Sequence, residues 1–449
     1  MLNLNRQRNR KRLSFSFLTT CITSMTLLIS SMTVAPAPVS AADAIPALNL
    51  EAKAAILIEA ETGQILYEYN KDELLPPASM AKMMSEYIVL EQIEKGNIRW
   101  DDIVTVSPNS ARTGGSGGLL AKGERYTVEQ LFQNMSIFSG NDASVALAEY
   151  VAQSEEKFAH MINDKAREFG LSDGAYFINS TGLDREDLEV LDMAPASLPG
   201  ETQMSAYDAA KIAQRVILDY PDILKTTSIP EAYFKPNDKR YLMENWNWML
   251  ESWKGYGNNY DKLFAYEGMD GLKTGSTPRA LYCFTGTAVR DGLRLISVVM
   301  ATPTRPKRFT ETKKLLDYGF NNFEKMTAMQ PKTELDELKT VKVSKGKEKE
   351  VSIVTEKGAI FLVPKGTNPE DFVIEAAEAP KEERVAPIKR GQPLGKVTVS
   401  YTSSSGQVMA QEINLVAADD IEKANGFVLF FRSIGNFFKD LFSSIKNLF

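Results

Sequence analysis

Pro77-Ala78-Ser79-Met80-Ala81-Lys82-Met83-Met84 is the stretch on which the reading of this chain turns. Pro76 and Pro77 disfavour helix in the residues before them, so the approach is extended. From Ser79 to about Lys95 the pattern becomes helical. Met83, Met84, Tyr87, Ile88, Leu90 and Ile93 supply apolar faces, and Ser79 suits the N-terminal end. Positions i and i+3 share a helix face, so the Lys82 amine can reach the Ser79 hydroxyl. A lysine whose pKa is lowered by burial or by a nearby cation can act as a base without histidine. Helix N-terminal amides can also help to bind an oxyanion. The same spacing recurs at Ser154/Lys157, Ser344/Lys347 and Ser443/Lys446. What distinguishes Ser79 is its place between a Pro-Pro segment and an apolar helix.

Composition narrows the chemistry. The chain has 449 residues, 43% hydrophobic and 24% charged, which leaves room for two or more domains. Its 52 basic and 58 acidic residues give a net charge of −6, so no global basic footprint for nucleic acid exists. The single histidine, His160, excludes a multi-histidine metal site, and catalysis is expected to use another base. His160 falls in a helical stretch remote from the motifs and is expected to be structural.

The two ends differ from the middle. Residues 1–41 read as a secretory signal. Arg6, Arg8, Arg10, Lys11 and Arg12 precede an uncharged stretch, and Val39-Ser40-Ala41 offers small residues for cleavage. A retained transmembrane anchor is the alternative. Cleavage would remove Cys21 and leave 408 residues at −11, with Cys283 as the one thiol and no intramolecular disulfide. Cys283 lies in an apolar, strand-like run and is expected to be a buried hydrophobe. At the other end, 421–449 forms a separate segment. From Phe427 to Phe449 apolar residues recur at steps of three and four on one helical face, with only Leu429 on the wrong side. The longest apolar run has five residues, too few to span a bilayer. A Phe-rich face opposite a weakly basic one fits a helix lying in the membrane interface; packing on the protein's own core is the alternative.

Between these ends, residues 52–58 and 65–69 read as a strand pair. Helices are expected near 127–135, 141–151, 157–169, 205–219 and 307–323, with strands at 281–289 and 293–301. Residues 44–325 form the working domain. Residues 330–417 carry short alternating runs at 340–344, 350–354, 359–363, 383–387, 395–401 and 411–416, punctuated by Gly and Pro. They read as a small all-β domain without catalytic residue types.

Two further motifs follow Ser79. Ser139-Gly140-Asn141 sits in a turn between helical runs, where its hydroxyl can pass a proton and its amide can hold a substrate carbonyl. Ser107-Pro108-Asn109 fits the same pattern. Lys273-Thr274-Gly275 occurs once and is expected to precede a strand directly. The Lys and Thr make a carboxylate-binding pair, and the Gly lets a substrate backbone approach closely.

The order Ser-x-x-Lys, Ser-x-Asn, Lys-Thr-Gly resembles the penicillin-recognising serine enzymes. Pro77 to Met84, Ser139-Gly140-Asn141-Asp142-Ala143, Asn179-Ser180-Thr181-Gly182-Leu183 and Asp270 to Gly275 resemble the low-molecular-mass penicillin-binding proteins, the serine-type D-alanyl-D-alanine carboxypeptidases. The likeness covers about residues 50–325, and the β-rich module and terminal helix are similar to that family's layout. It implies an α/β fold: an antiparallel sheet flanked by helices, a helical subdomain, a small all-β domain and a C-terminal amphipathic helix.

The resemblance also implies roles. Ser79 attacks the carbonyl between the last two D-alanines of a peptidoglycan stem peptide, and Lys82 takes its proton. Ser139 and Lys273 relay the proton to the departing nitrogen. Asn141 orients the substrate, Thr274 with Lys273 binds the terminal carboxylate, and Gly275 completes the substrate-binding set. The amides of Ser79 and Ser276 form the oxyanion hole. Ser276 stands where many family members carry His. No metal or organic cofactor is implied. β-Lactams are expected as inhibitors, and the protein is expected at the outer face of the cytoplasmic membrane, held by residues 427–449. The Gly-rich stretch Thr113 to Gly118 is expected to be a mobile loop beside the cleft. Two alternatives remain: a β-lactamase or transpeptidase with the same nucleophile, for which Glu201 is the deacylation candidate in the first case, and an idle wall-binding protein.

Overall fold

Ala54–Glu59 forms strand β1, buried along its whole length. Successive side chains of a strand point to opposite faces. Ala54, Ile56 and Ile58 enter one core, while Ala55 and Leu57 enter another. That two-sided burial explains why β1 reads as a continuous apolar run rather than an alternating one. Each Leu or Ile so buried stabilises the fold by about 1.5–3 kcal/mol relative to exposure. In this computed structural model, residues 48–117, 120–234, 241–403, 406–432 and 434 are described. The signal-peptide reading at 1–41, with Cys21, and the tail residues 435–449 lie outside them.

β1 belongs to a five-stranded antiparallel sheet. The other members are β2 (Ile65–Tyr69), β3 (Met269–Thr277), β4 (Leu281–Arg290) and β5 (Leu293–Thr302), in the order β2-β1-β5-β4-β3. The Lys-Thr-Gly motif therefore does not precede a strand. It lies inside β3, at the edge of the sheet. The sequence hides this because Met-Asp-Gly-Leu-Lys-Thr-Gly-Ser-Thr has two glycines and no β-branched run, the composition of a loop.

Helices cover both faces. α1 (Lys82–Glu94), α2 (Asn141–Ala152), α3 (Glu155–Glu168) and α4 (Ala206–Asp219) contribute to the core that holds Ile56, Ile296 and Val298. α5 (Arg305–Asn322) supplies Phe309, Leu315 and Leu316 to the core on the opposite face, against Leu57, Phe284 and Leu295. Residues 82–89 of α1 are all buried, so this helix runs through the interior rather than over it. α3 and α4 begin on Ser154 and Ser205, whose side chains accept the backbone N–H groups of Lys157 and Asp208. Cys283 is fully buried, and burial pushes its thiol up to about 11, as expected for an inert hydrophobe.

Beyond α5 the chain builds a third core from Met329 to Ile421. β6 (Phe323–Met329), β7 (Thr340–Lys342), β8 (Glu350–Thr355), β9 (Ala359–Pro364), β10 (Val373–Glu378), β11 (Pro393–Thr402) and β12 (Val408–Ala417) form two antiparallel sheets, β7-β8-β12-β11-β10 and β6-β9. The expected strand at 383–387 is absent. That stretch makes one isolated parallel bridge, Val385 to Ser344, and Pro387 has no N–H to give a ladder. β6 and β10 were hidden because their sequences, FEKMTAM and VIEAAE, lack clean alternation, and β10 lies exposed on an edge. Leu362 of β9 packs into the core beneath α5.

Residues 426–432 and 434 are helical. Phe427, Phe430 and Phe431 are 73%, 62% and 56% exposed. Leu429 is half-buried, and Arg432 donates to the carbonyls of Gly346 and Lys347 at 2.6 and 2.9 Å. The one leucine on the wrong side of the apolar face is thus less exposed than the phenylalanines around it. Among the described residues no helix is long and apolar enough to cross a membrane.

Candidate active site

Ala78–Ala81 forms a single 3₁₀ turn ahead of α1, so Ser79 sits just outside the α-helix expected to begin with it. Ala78 has φ +48°, a left-handed conformation that costs a non-glycine residue energy and needs support from its surroundings. Support comes from two glycines. A Cβ on Gly182 would lie 2.0 Å from Ala78 O, and one on Gly275 would lie 2.3 Å from Pro77 O. Gly275 was expected to make room for substrate; it lines the cavity, and its lack of a side chain also lets β3 press against the Ser79 turn. Met80, beside Ser79, is fully buried. Ser79 itself is half-exposed and faces a cavity of about 290 Å³.

Lys82 Nζ lies 2.9 Å from Ser79 Oγ, 2.6 Å from Asn141 Oδ1 and 2.9 Å from Thr181 O. Asn141 turns its oxygen to Lys82 because its Nδ2 donates to Gly114 O at 2.7 Å, and a carbonyl only accepts. Thr181 O is aimed by Asn179, whose Oδ1 accepts the N–H groups of Thr181 and Gly182 at 2.9 and 2.6 Å. A neutral amine has two hydrogens and one lone pair. Asn141 Oδ1 and Thr181 O take the hydrogens, and the lone pair is left for the Ser79 hydroxyl. Burial and the nearby Lys273 hold Lys82 well below the usual lysine range, which is what a base near neutral pH requires.

Ser139 follows a π-helical turn, Asn134–Phe138, at φ +63°. Its Oγ accepts a hydrogen bond from Lys273 Nζ at 2.7 Å. Lys273 is 3% exposed; burial, aided by Arg308, brings it down to about 8. Ser79, Ser139, Thr274, Gly275 and Ser276 all line the one cavity. Ser79, Lys82, Ser139, Asn141, Lys273, Thr274, Gly275 and Ser276 are therefore brought together from three distant stretches. The Gly-rich stretch reaches the cleft through Gly115 and Ser116. It is tied to the second motif there: Ser116 Oγ donates to Phe138 O, and Asn141 N donates to Ser116 O. Gly118 lies outside the described residues.

Sequence reasoning missed several contributors. Trp246, Arg305 and Arg308 line the cavity, with the Arg305 guanidinium 5.1 Å from the Trp246 ring centre. Arg308 is 2% exposed and donates to Gly275 O at 3.3 Å; burial first, then Arg305, brings it down to about 9. Nothing local marks these residues, since helix α5 and the 245–253 loop reach the site only through folding. Glu201 stands apart from the cavity. It pairs with Arg279 at 2.7 Å and accepts the Arg185 N–H at 3.0 Å. His160 is exposed, 2.8 Å from Ser197 Oγ.

Known proteins resemble this chain in sequence and in fold. A family model described as D-alanyl-D-alanine carboxypeptidase matches residues 39–304, and one described as the penicillin-binding protein 5 C-terminal domain matches residues 323–423. The chain is 36% identical to the D-alanyl-D-alanine carboxypeptidase DacF of Bacillus subtilis over 92% of this chain and 98% of that one. Among solved structures it resembles penicillin-binding protein 3 of Streptococcus pneumoniae, described as a peptidoglycan synthesis regulatory factor. That match has 29% identity, a TM-score of 0.67, and covers 83% of this chain and 99% of that one. It also resembles penicillin-binding protein D2 of Listeria monocytogenes in its ampicillin-bound form, with 31% identity, a TM-score of 0.51, and coverage of 61% and 100%.

Proposed function

The chain belongs to the D-alanyl-D-alanine carboxypeptidase family, and from that premise we propose that Ser79 is the nucleophile of a serine enzyme that removes the terminal D-alanine from peptidoglycan pentapeptide stems. The observation that carries the assignment is the threefold contact of Lys82, which leaves its lone pair to Ser79 Oγ. Ser79 Oγ adds to the penultimate D-alanine carbonyl as its proton passes to Lys82. The amides of Ser79 and Ser276 receive the oxyanion. Ser139 passes its proton to the amide nitrogen and takes one from Lys273, whose Nζ donates to its Oγ; the C–N bond breaks and D-alanine leaves. Water then attacks the acyl-enzyme ester, its proton restores Lys273, Lys82 returns its own proton to Ser79 Oγ, and the shortened stem leaves. Thr274 and Lys273 hold the terminal carboxylate, and Asn141 orients the stem. Penicillins acylate the same serine because their carboxylate and strained amide match these groups.

The β-lactamase alternative loses its deacylation candidate, because Glu201 is engaged by Arg279 and Arg185 outside the cavity. We read residues 44–325 as the catalytic domain, 330–417 as the all-β domain and 421–449 as a peripheral anchor of an exported protein. The exposed Phe427, Phe430 and Phe431 support the last reading. Mass spectrometry after incubation with penicillin tests the site. The expected result is one adduct on Ser79 and none in Ser79→Ala; an adduct elsewhere, or none in the intact protein, overturns it. Release of D-alanine from a pentapeptide faster than penicillin turnover supports the carboxypeptidase over a lactamase.

A further inference from the structure

Trp246 enters the cleft from a loop that two buried asparagines hold in place. Asn245 Nδ2 donates to Thr227 O and Ile229 O at 3.1 and 2.9 Å, and Asn247 Nδ2 donates to Gly271 O of β3 at 3.1 Å. Between them, Trp246 donates its Nε1–H to Phe138 O at 2.9 Å and lies over the Phe138 ring, with ring centres 6.0 Å apart and planes 30° apart. Phe138 precedes Ser139 in the chain. The indole is therefore fixed beside the proposed proton donor to the departing nitrogen. The first turn of α5 carries Arg305 and Arg308, at positions that share a helix face. Arg308 ties this turn to β3 through Gly275 O, and Arg305 ties it to Trp246 across 5.1 Å. Arg305 thus links the β3 wall of the cleft to the Ser139 wall.

Two observations give this end of the cavity a ligand chemistry. The described residues that line it include two arginines and no acid. Arg308 is 2% exposed, and its Nε has no hydrogen-bond partner among the described residues. A buried donor left unpaired is costly, so a carboxylate that enters beside it is favoured. The proposed mechanism adds a reason for a further cation. Lys273 Nζ donates to Ser139 Oγ and gives up that proton as the C–N bond breaks. The carboxylate of the departing D-alanine then lies beside a neutral amine and needs a positive charge from elsewhere. Stacking on an indole uses the flat face of a guanidinium and leaves its N–H edge free to grip a carboxylate.

We propose that Arg305, laid on Trp246, is a specificity-determining residue that confines the leaving group to one small amino acid with a free carboxylate. Its guanidinium takes that carboxylate, and its contact with Trp246 shuts out a leaving group that continues into a second peptide. The inference rests on the carboxypeptidase reading and sets its direction: cleavage at the end of a stem rather than at a cross-link. Arg305 makes and breaks no bond; it selects what Ser139 releases.

The test compares kcat/KM of the full chain on three substrates. One is a pentapeptide stem ending in free D-alanyl-D-alanine, one is its C-terminal amide, and one is a cross-linked dimer in which the D-alanyl carbonyl is joined to the side-chain amine of a second stem. The parent is expected to prefer the free acid to both; a parent without that preference overturns the inference. In Arg305→Ala the acid-over-amide ratio is expected to fall about 10–100-fold, as for the loss of a hydrogen bond to a charged group, and the acid-over-dimer ratio is expected to fall with it. Trp246→Leu takes the ring from under Arg305 and is expected to lower the acid-over-dimer ratio. A folded variant whose named ratio stays at the parent value, including one that slows all substrates equally, overturns the inference. If Arg305→Ala does not fold, Arg305→Lys decides. It keeps a charge but loses the planar fork, so its acid-over-amide ratio is expected to fall by a smaller factor, and an unchanged ratio overturns the inference. A parent that releases no D-alanine and forms no adduct on Ser79 overturns the carboxypeptidase reading, whereas D-alanine release with unmoved ratios overturns this inference alone.

Discussion

Gly275→Ala separates two explanations for the glycine of the third motif. If the position only clears space for substrate, an added methyl weakens binding and leaves the empty enzyme unchanged. The structure gives another outcome. The methyl would lie 2.3 Å from Pro77 O and 3.1 Å from Met80 N, and Cβ contacts below 3.0 Å are not tolerated. Both atoms are backbone, so no side chain can swing aside. Either the nucleophile turn or β3 must retreat by about 1 Å, an overpacking cost of about 1–3 kcal/mol. Ser79 rides on that turn, and Ser276 on that strand, so the distance between nucleophile and oxyanion amides grows by about the same amount. A 1 Å error in reacting geometry costs about 100-fold in rate. Stopped-flow acylation with a fluorescent penicillin, at concentrations that saturate the binding step, reads the acylation rate constant separately from affinity; thermal unfolding of the unliganded protein reads the packing. The expected result is a loss of about 100-fold in the rate constant with a lowered Tm. A normal Tm and a normal rate constant with weakened binding would refute the reasoning and return Gly275 to a substrate-clearance role.

Three other outcomes follow from the site. Asn179→Ala removes the acceptor that folds Thr181 and Gly182 into their turn; it should cost about 1–3 kcal/mol of stability in denaturant titrations and slow acylation by letting Thr181 O swing away from Lys82. Lys273→Ala removes the charge beside Thr274 and the donor to Ser139, so acylation by carboxylate-bearing penicillins should fall by about 100-fold or more; an unchanged rate would contradict its role. Deleting residues 426–449, which spares Ile421 and Ala424 of the β-domain core, should release the protein from membranes and leave hydrolysis of a soluble stem peptide intact. Continued pelleting with membranes would show that the anchor lies elsewhere.

Much of this protein is set by local pattern. The strand pair at β1 and β2, the helices that follow Ser79 and Asn141, the β4-β5 hairpin and the alternating runs of the C-terminal module are legible because burial imposes periods of 2 and 3.6 on the residues themselves. The three motifs proposed to carry the chemistry are legible because such chemistry needs particular residue types at short spacing. What folding alone decided depends on contacts between stretches far apart in the chain. Lys-Thr-Gly is an edge strand because β4 pairs with it, against its loop-like composition. Thr181 offers a carbonyl to Lys82, and a backbone atom has no residue letter to betray it. Sequence named the candidate groups; their enclosure in a common low-dielectric site, which no local pattern encodes, lowers the proton affinity of Lys82 and Lys273.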